Sequence, residues 1–213
     1  MKKPCIFLFS VSATMAAPWA AAGNPCLIVD IQHPPGLTHL GANVWAYGCD
    51  LRQPFTPPPG WGGPLAFVAA FPPCDHLAVS GARWFKGKGL RLLSLAVDLF
   101  ATAAEFCEQS GAPYLIENPV STISTYWRKC DFTFNPCDFT ALEPGDNYTK
   151  KTCLWTGGGF VMPALQKLEG IGAPDDRIHK APPGPDRHNF RSATPAGFAK
   201  AVYLCNQHQQ VAA

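Results

Sequence analysis

The nine cysteines include no Cys-x-x-Cys pair and the six histidines show no ligand spacing, so a zinc or other metal site has no support from spacing. No apolar run reaches the ~18 to 20 residues that cross a bilayer as a helix, which argues against a membrane protein. Internal repeats and low-complexity tracts are absent as well. Charged residues are scarce, 15% against 47% apolar, and that balance excludes intrinsic disorder. The formal net charge is only +2, which permits nucleic-acid binding without arguing for it. At 213 residues the chain is long enough for one well-buried domain and too short for two comfortable ones.

Proline (22) and glycine (19) are abundant, so many segments are turns and loops. In a secreted protein, nine cysteines would mean four disulfides and a spare thiol. Lys2 and Lys3 ahead of the apolar run Cys5–Ala17, with Ala20-Ala21-Ala22 beyond, have the look of a secretory leader. Ser10, Ser12 and Thr14 interrupt that run, however, and the segment fits a β-α-β unit. A cytoplasmic chain with reduced thiols is the expectation.

Cys5–Phe9 reads as a buried parallel strand, Ser10–Thr14 as a turn, and Met15–Ala22 as a helix stopped by Gly23. Cys26–Val29 is a second buried strand closed by Asp30. Gln32–Gly63 reads mostly as loop, within which Cys49–Arg52 could end a short strand. Leu65–Phe71 and Tyr114–Ile116 are further buried strands, and Lys151–Trp155 another. Helical spacing over Leu90–Ser110 places Leu92, Leu95, Ala96, Leu99, Ala103 and Phe106 on one face. Pro195–Gln207 reads as a last helix, with Thr194 as N-cap and Pro195 at its first position. Strands alternating with helices predict a doubly wound α/β fold with a mostly parallel sheet, in which ligands bind at the carboxyl ends of the strands. Asp30, Asp50, Cys74 and Glu117 all fall just past strand ends.

Cys74 follows Pro72-Pro73. Each proline fixes its own φ and restricts the residue before it, so the thiol is held on a rigid loop. Cys74 could otherwise be one of nine small buried hydrophobes; the double proline and the strand end favour a placed nucleophile. Glu117, in Glu117-Asn118-Pro119, ends an apolar strand, an environment that favours a proton-sharing carboxyl. A thiolate that adds to carbon 6 of cytosine, with a carboxyl hydrogen-bonded to ring nitrogen 3, would make carbon 5 nucleophilic enough to take a methyl group. A base in duplex DNA would have to leave the stack to reach such a site.

The Pro-Pro-Cys and Glu-Asn-Pro motifs, in that order on successive strand ends, resemble the DNA cytosine-5 methyltransferase family, especially short single-domain members carried by phages and prophages. The resemblance implies a class I, Rossmann-like fold over residues 1–213, S-adenosylmethionine as cofactor, cytosine-containing DNA as partner, no metal and a monomeric state. It implies catalytic roles for Cys74, Glu117 and Asn118. Cofactor contacts would come from Phe9, Ser10 and Ser12 after the first strand, from Asp30 (ribose hydroxyls) and Ile31, from Asp50 (adenine) and Leu51, and from Pro72. Ser192–Pro195 and the helix after them resemble the element that closes beside the first strand. The family's arginine-bearing strand is matched loosely by Tyr148–Thr152, where Lys150 or Lys151 would stand in; Lys151 is the substrate-side candidate. Lysine does not reproduce the arginine fork.

Two departures stand out. Relatives carry a glycine-containing loop after the first strand, whereas Phe9–Thr14 contains no glycine. Most relatives also carry a large target-recognition domain, for which only residues 121–191 remain as a reduced recognition or lid region. Sequence specificity is therefore expected to be low or to come from a partner. Arg83–Gly89, with Arg83 and Lys86 as candidate substrate contacts, suits phosphates or a flipped base, and Trp127-Arg128-Lys129 is similar. Arg187–Arg191 could touch phosphate but reads more simply as a surface loop. A non-catalytic binder that kept the fold, and an enzyme acting on free cytosine nucleotides, are the alternatives.

Overall fold

The computed structural model describes residues 2–182, 184 and 187–207, with His179 and His188 by backbone alone. Its strands are β1 (Cys5–Leu8), β2 (Cys26–Gly41), β3 (Val44–Gly48), β4 (Phe67–Ala70), β5 (Tyr114–Pro119), β6 (Phe132–Phe134) and β7 (Thr152–Gly157). The helices are α1 (Ala17–Ala21), α2 (Phe85–Lys88), α3 (Leu90–Gln109), α4 (Ile123–Tyr126), α5 (Arg177–Lys180), α6 (Arg187–Ser192) and α7 (Ala196–Asn206).

The strands make one seven-stranded, mostly parallel sheet in the order β3-β2-β1-β4-β5-β7-β6. β1 pairs in parallel with both β2 and β4, and β4 with β5, whereas β7 runs antiparallel to β5 and to β6. The chain winds outward from β1 through β2 to β3, then returns to start β4 on the other side of β1. That reversal opens a crevice at the carboxyl ends of β1 and β4.

β1 is buried on both faces, as a central parallel strand must be. Cys5 and Phe7 face one core with Trp19, Phe67, Phe139, Phe198 and Val202, under α1 and α7. Ile6 and Leu8 face the other with Val68, Phe100, Ala103 and Trp155, under α3. Trp19 stacks on Phe67 at 4.8 Å and Phe134 on Phe198 at 3.9 Å. Each such ring taken from water contributes roughly 2–3 kcal/mol.

Several expectations are corrected. The region read as loop after Asp30 carries strand: 35–41 folds back along β3 with descending partners, from Leu37–Tyr47 to Gly41–Val44. Ala42 and Asn43 have φ of 46° and 61° and close a two-residue turn whose twist suits a hairpin. On α3 the buried stripe is Ala96, Phe100, Ala103, Ala104 and Cys107, one residue round from the expected one, and Leu92 is exposed. The helix is apolar on more than one face, so spacing alone could not choose the stripe. Thr194 is not the N-cap of α7; Pro195 is, with no side-chain cap of its own. Asp146, distant in sequence, accepts the Gly197 N–H at 2.7 Å instead. Gly197 is required there, because a Cβ would lie 2.7 Å from the Phe139 carbonyl oxygen. The segment with leader-like composition forms β1 and α1. Among the described residues no helix is long and apolar enough to cross a membrane.

Removing the Asp146 carboxylate leaves a buried helix N–H without an acceptor, which costs about 1–2 kcal/mol. Urea unfolding should therefore show Asp146→Ala destabilised by that amount and Asp146→Asn, which keeps the acceptor, nearly as stable as the parent.

Candidate active site

The carboxyl ends of β1 to β5 open into one cleft of about 910 Å³. Phe9, Ser10 and Ser12 enter it from the end of β1, Asp30 and Ile31 from the bend within β2, and Asp50 and Leu51 from beyond β3. Pro72 and Cys74 come from the end of β4, Glu117 and Asn118 from β5. Lys151 stands at the start of β7, which reaches the same rim because that strand is antiparallel. Arg83 and Lys86 do not line the cleft; they sit on the exposed stretch beyond it, Arg83 with its guanidinium 5.0 Å over the Trp84 ring.

At the nucleophile end, the Cys74 carbonyl accepts the amides of Leu77 and Ala78 at 3.0 and 2.9 Å, so the chain turns tightly after the thiol. That turn is stitched to the loop after β5: Val79 N–H donates to Val120 O at 2.9 Å and Thr122 N–H to Leu77 O at 3.0 Å. The buried Asn118 amide donates to Pro72 O at 2.9 Å, tying the two motifs together. Its Oδ1 is buried with no hydrogen-bond partner among the described residues. Glu117 is 7% exposed. Its Oε1 lies 3.6 Å from Lys150 Nζ, which also donates to Ala193 O at 3.2 Å.

Burial pushes the Cys74 thiol up to about 11, helped by the negative charges of Asp75 and Glu117; Lys150 and Arg191 oppose the shift. Relative to an ordinary thiol this disfavours the thiolate by ~3 kcal/mol. A thiolate at Cys74 would therefore depend on the cations around it.

At the opposite end, Asp30 Oδ1 accepts the Gln32 N–H at 2.8 Å and the carboxylate faces the cleft. Phe9 adopts a left-handed conformation (φ 55°), the backbone region in which a glycine would be unstrained. Ser10 is buried; its hydroxyl donates to Ser12 O at 3.0 Å and its carbonyl contacts His33 Nε2 at 3.0 Å. Asp50 is held by the Arg52 side chain through both carboxylate oxygens, which keeps it below the usual carboxylate range. A hydrogen bond that Asp50 accepted from a ligand would have to be shared with Arg52.

Two cations that the sequence offered only as alternatives stand at the site. Of the two candidate lysines, Lys150 is the buried one paired with Glu117; neighbouring lysines before a strand give spacing no means to choose. Arg191 lies on the short helix α6 rather than a surface loop and lines the cleft with a buried Nε that has no partner among the described residues. Only the path of 187–194 across the rim reveals it. Among the described residues no group of three or more His, Cys, Asp or Glu could hold a metal ion.

No protein-family model matches the chain, and no curated protein matches it. Among solved structures it is similar to a prophage-encoded protein of E. coli described as a DNA modification methyltransferase, at 13% identity over 73% of this chain, with a TM-score of 0.39. The match spans 46% of that protein's length, and a likeness of this degree carries no argument about substrate or activity.

Alkylation reports the thiol directly. Iodoacetamide labelling of Cys74, followed by peptide mass spectrometry, should be slow at pH 7 and rise about tenfold per pH unit toward pH 11, because only the thiolate reacts. Asp75→Asn, which removes a charge that raises the thiol, should speed labelling at pH 8, and Arg191→Gln should slow it.

Proposed function

We propose that the chain is an S-adenosylmethionine-dependent DNA cytosine-5 methyltransferase of Rossmann-like class I fold, with Cys74 as nucleophile. One observation carries the reading: a thiol on a double-proline turn and a buried carboxylate end adjacent parallel strands over one cleft, joined by the Asn118–Pro72 hydrogen bond. When bound, S-adenosylmethionine supplies an electrophilic methyl group for carbon 5.

The residues present fit that cofactor. Phe9, Ile31, Leu51 and Pro72 give apolar walls, Asp30 offers a carboxylate for ribose hydroxyls, and Ser10 and Ser12 line the loop between. Asp50 would contact adenine only by sharing with Arg52. At the other end, the Cys74 thiolate adds to carbon 6 of a cytosine. Glu117 carries a proton at ring nitrogen 3, and the electron pair of the 5,6 double bond becomes available at carbon 5. Once carbon 5 carried the methyl group that the cofactor would supply, loss of the carbon-5 proton would expel Cys74 as thiolate and restore the 5,6 double bond. Lys150 and Arg191 steady the thiolate, and Asn118 holds the turn on which it sits. Residues 121–191 serve as a reduced recognition region, with Lys151 on the substrate side.

A second reading, a binding protein that kept the fold, is favoured by the left-handed Phe9 and the occupied Asp50 carboxylate. Calorimetric titration with S-adenosylmethionine separates the two, since absence of binding at millimolar concentration selects the binder. For the transferase, Cys74→Ser should abolish 5-methylcytosine formation, measured by mass spectrometry of DNA digests, with circular dichroism and cofactor binding unchanged. Glu117→Gln should lower the rate by about 10² to 10⁴. Full activity of Cys74→Ser would overturn the mechanism.

A further inference from the structure

The flank of the cleft beyond the nucleophile turn has an unusual composition. From His76 to Val97 the sequence holds Arg83, Lys86, Lys88 and Arg91 and no acid; from Asn118 to Cys130 it holds Arg128 and Lys129 and no acid. These two stretches take six of the seventeen cations and none of the fifteen acids, leaving eleven cations against fifteen acids elsewhere. The net charge of +2 thus conceals a locally basic flank, bounded in sequence by Asp75, Asp98, Glu117 and Asp131. The stretches are neighbours in space, joined by the Val79–Val120 and Thr122–Leu77 hydrogen bonds and the Ala78–Ser121 bridge. They begin at the cleft, where Val79 and Val120 form part of the wall.

On this flank large rings stand in solvent: Trp84 is 60% exposed, Tyr126 55% and Trp127 39%. Trp84 lies under the Arg83 guanidinium at 5.0 Å and Trp127 under that of Arg128 at 4.6 Å, Arg128 also pairing with Asp131. A cation over one face of a ring leaves the other face for a planar partner. Stacking of that kind is open to unpaired bases; in a duplex the base faces are already covered by their neighbours. Reading a duplex through the major groove calls for a helix or ribbon that enters it. The described residues of 121–191 carry no helix longer than the six residues of α6.

We infer that the polynucleotide is engaged as a single strand, with bases stacked on Trp84 and Tyr126 and phosphates on Arg83, Lys86, Lys88 and Arg91, leading one cytosine into the cleft. The inference deepens the transferase reading and rests on it for the identity of the reacting base. Binding is measured by fluorescence anisotropy of a labelled cytosine-containing oligonucleotide of about 12 nucleotides, with the matching duplex and dCMP as competitors. The single strand should bind at least about tenfold tighter than the duplex, and Trp84→Ala should weaken it about tenfold, with Trp84→Phe restoring most of the loss. Lys86→Gln should reduce the salt slope by about 0.7. Tyr126→Ala provides an independent exposed site. Equal or tighter duplex binding, unchanged affinity in both Trp84→Ala and Tyr126→Ala, or dCMP competing as well as the oligonucleotide would each overturn the inference. None of these measurements requires turnover. Single-strand preference without methyl transfer would sink the transferase and keep this surface, whereas methylation of duplex without single-strand preference would do the reverse.

Discussion

The hydrogen bond from the Asn118 amide to the Pro72 carbonyl joins the two strand ends on which the proposed chemistry depends. Both partners are buried at the wall of the cleft: Asn118 is 1% exposed, and Pro72 has no N–H with which to compete. A buried bond of this kind is worth more for what its loss would leave unpaired than for its net energy. Around it, the turn at Cys74 and the loop after Glu117 are held by further backbone bonds, so thiol and carboxylate move as one body. The sheet supplies the rest, since neighbouring parallel strands end at the same level.

The site is uneven in character. Its Cys74 half is electrically contested, with burial, Asp75 and Glu117 disfavouring the thiolate while Lys150 and Arg191 favour it. These cations come from two segments that meet, one before β7 and one leading to α7, with Lys150 donating to Ala193 O. Its other half is looser and already partly occupied by its own contacts. Asp50 is saturated by Arg52, and Phe9 holds a backbone shape that suits glycine better.

Much of the architecture was legible because it rests on composition that only one environment tolerates. Cys5–Leu8 is apolar at every position, which suits a strand covered on both faces. The prolines around Cys74 and Glu117 marked loops at strand ends, and those loops do meet. What escaped the sequence are choices made by tertiary contacts. The hairpin at Ala42-Asn43 lacks the glycine that would advertise its turn. Lys150 and Lys151 are identical in type and adjacent, and only packing sends the first inward. Asp146 caps a helix some fifty residues away, a partnership no local motif encodes.

α1 and α7 lie against each other across the sequence, with Trp19 meeting Tyr203 edge-on at 5.2 Å beside the central strand. β1, made well before α7, therefore cannot complete one of its two cores until α7 has followed it. Through most of synthesis, Trp19 and Phe67 wait with one side of their packing unfilled. Contacts of such long sequence separation slow folding and give chaperones a natural point of engagement. The fold is thus completed by packing α7 against α1, after the rim of the cleft has been laid down between them.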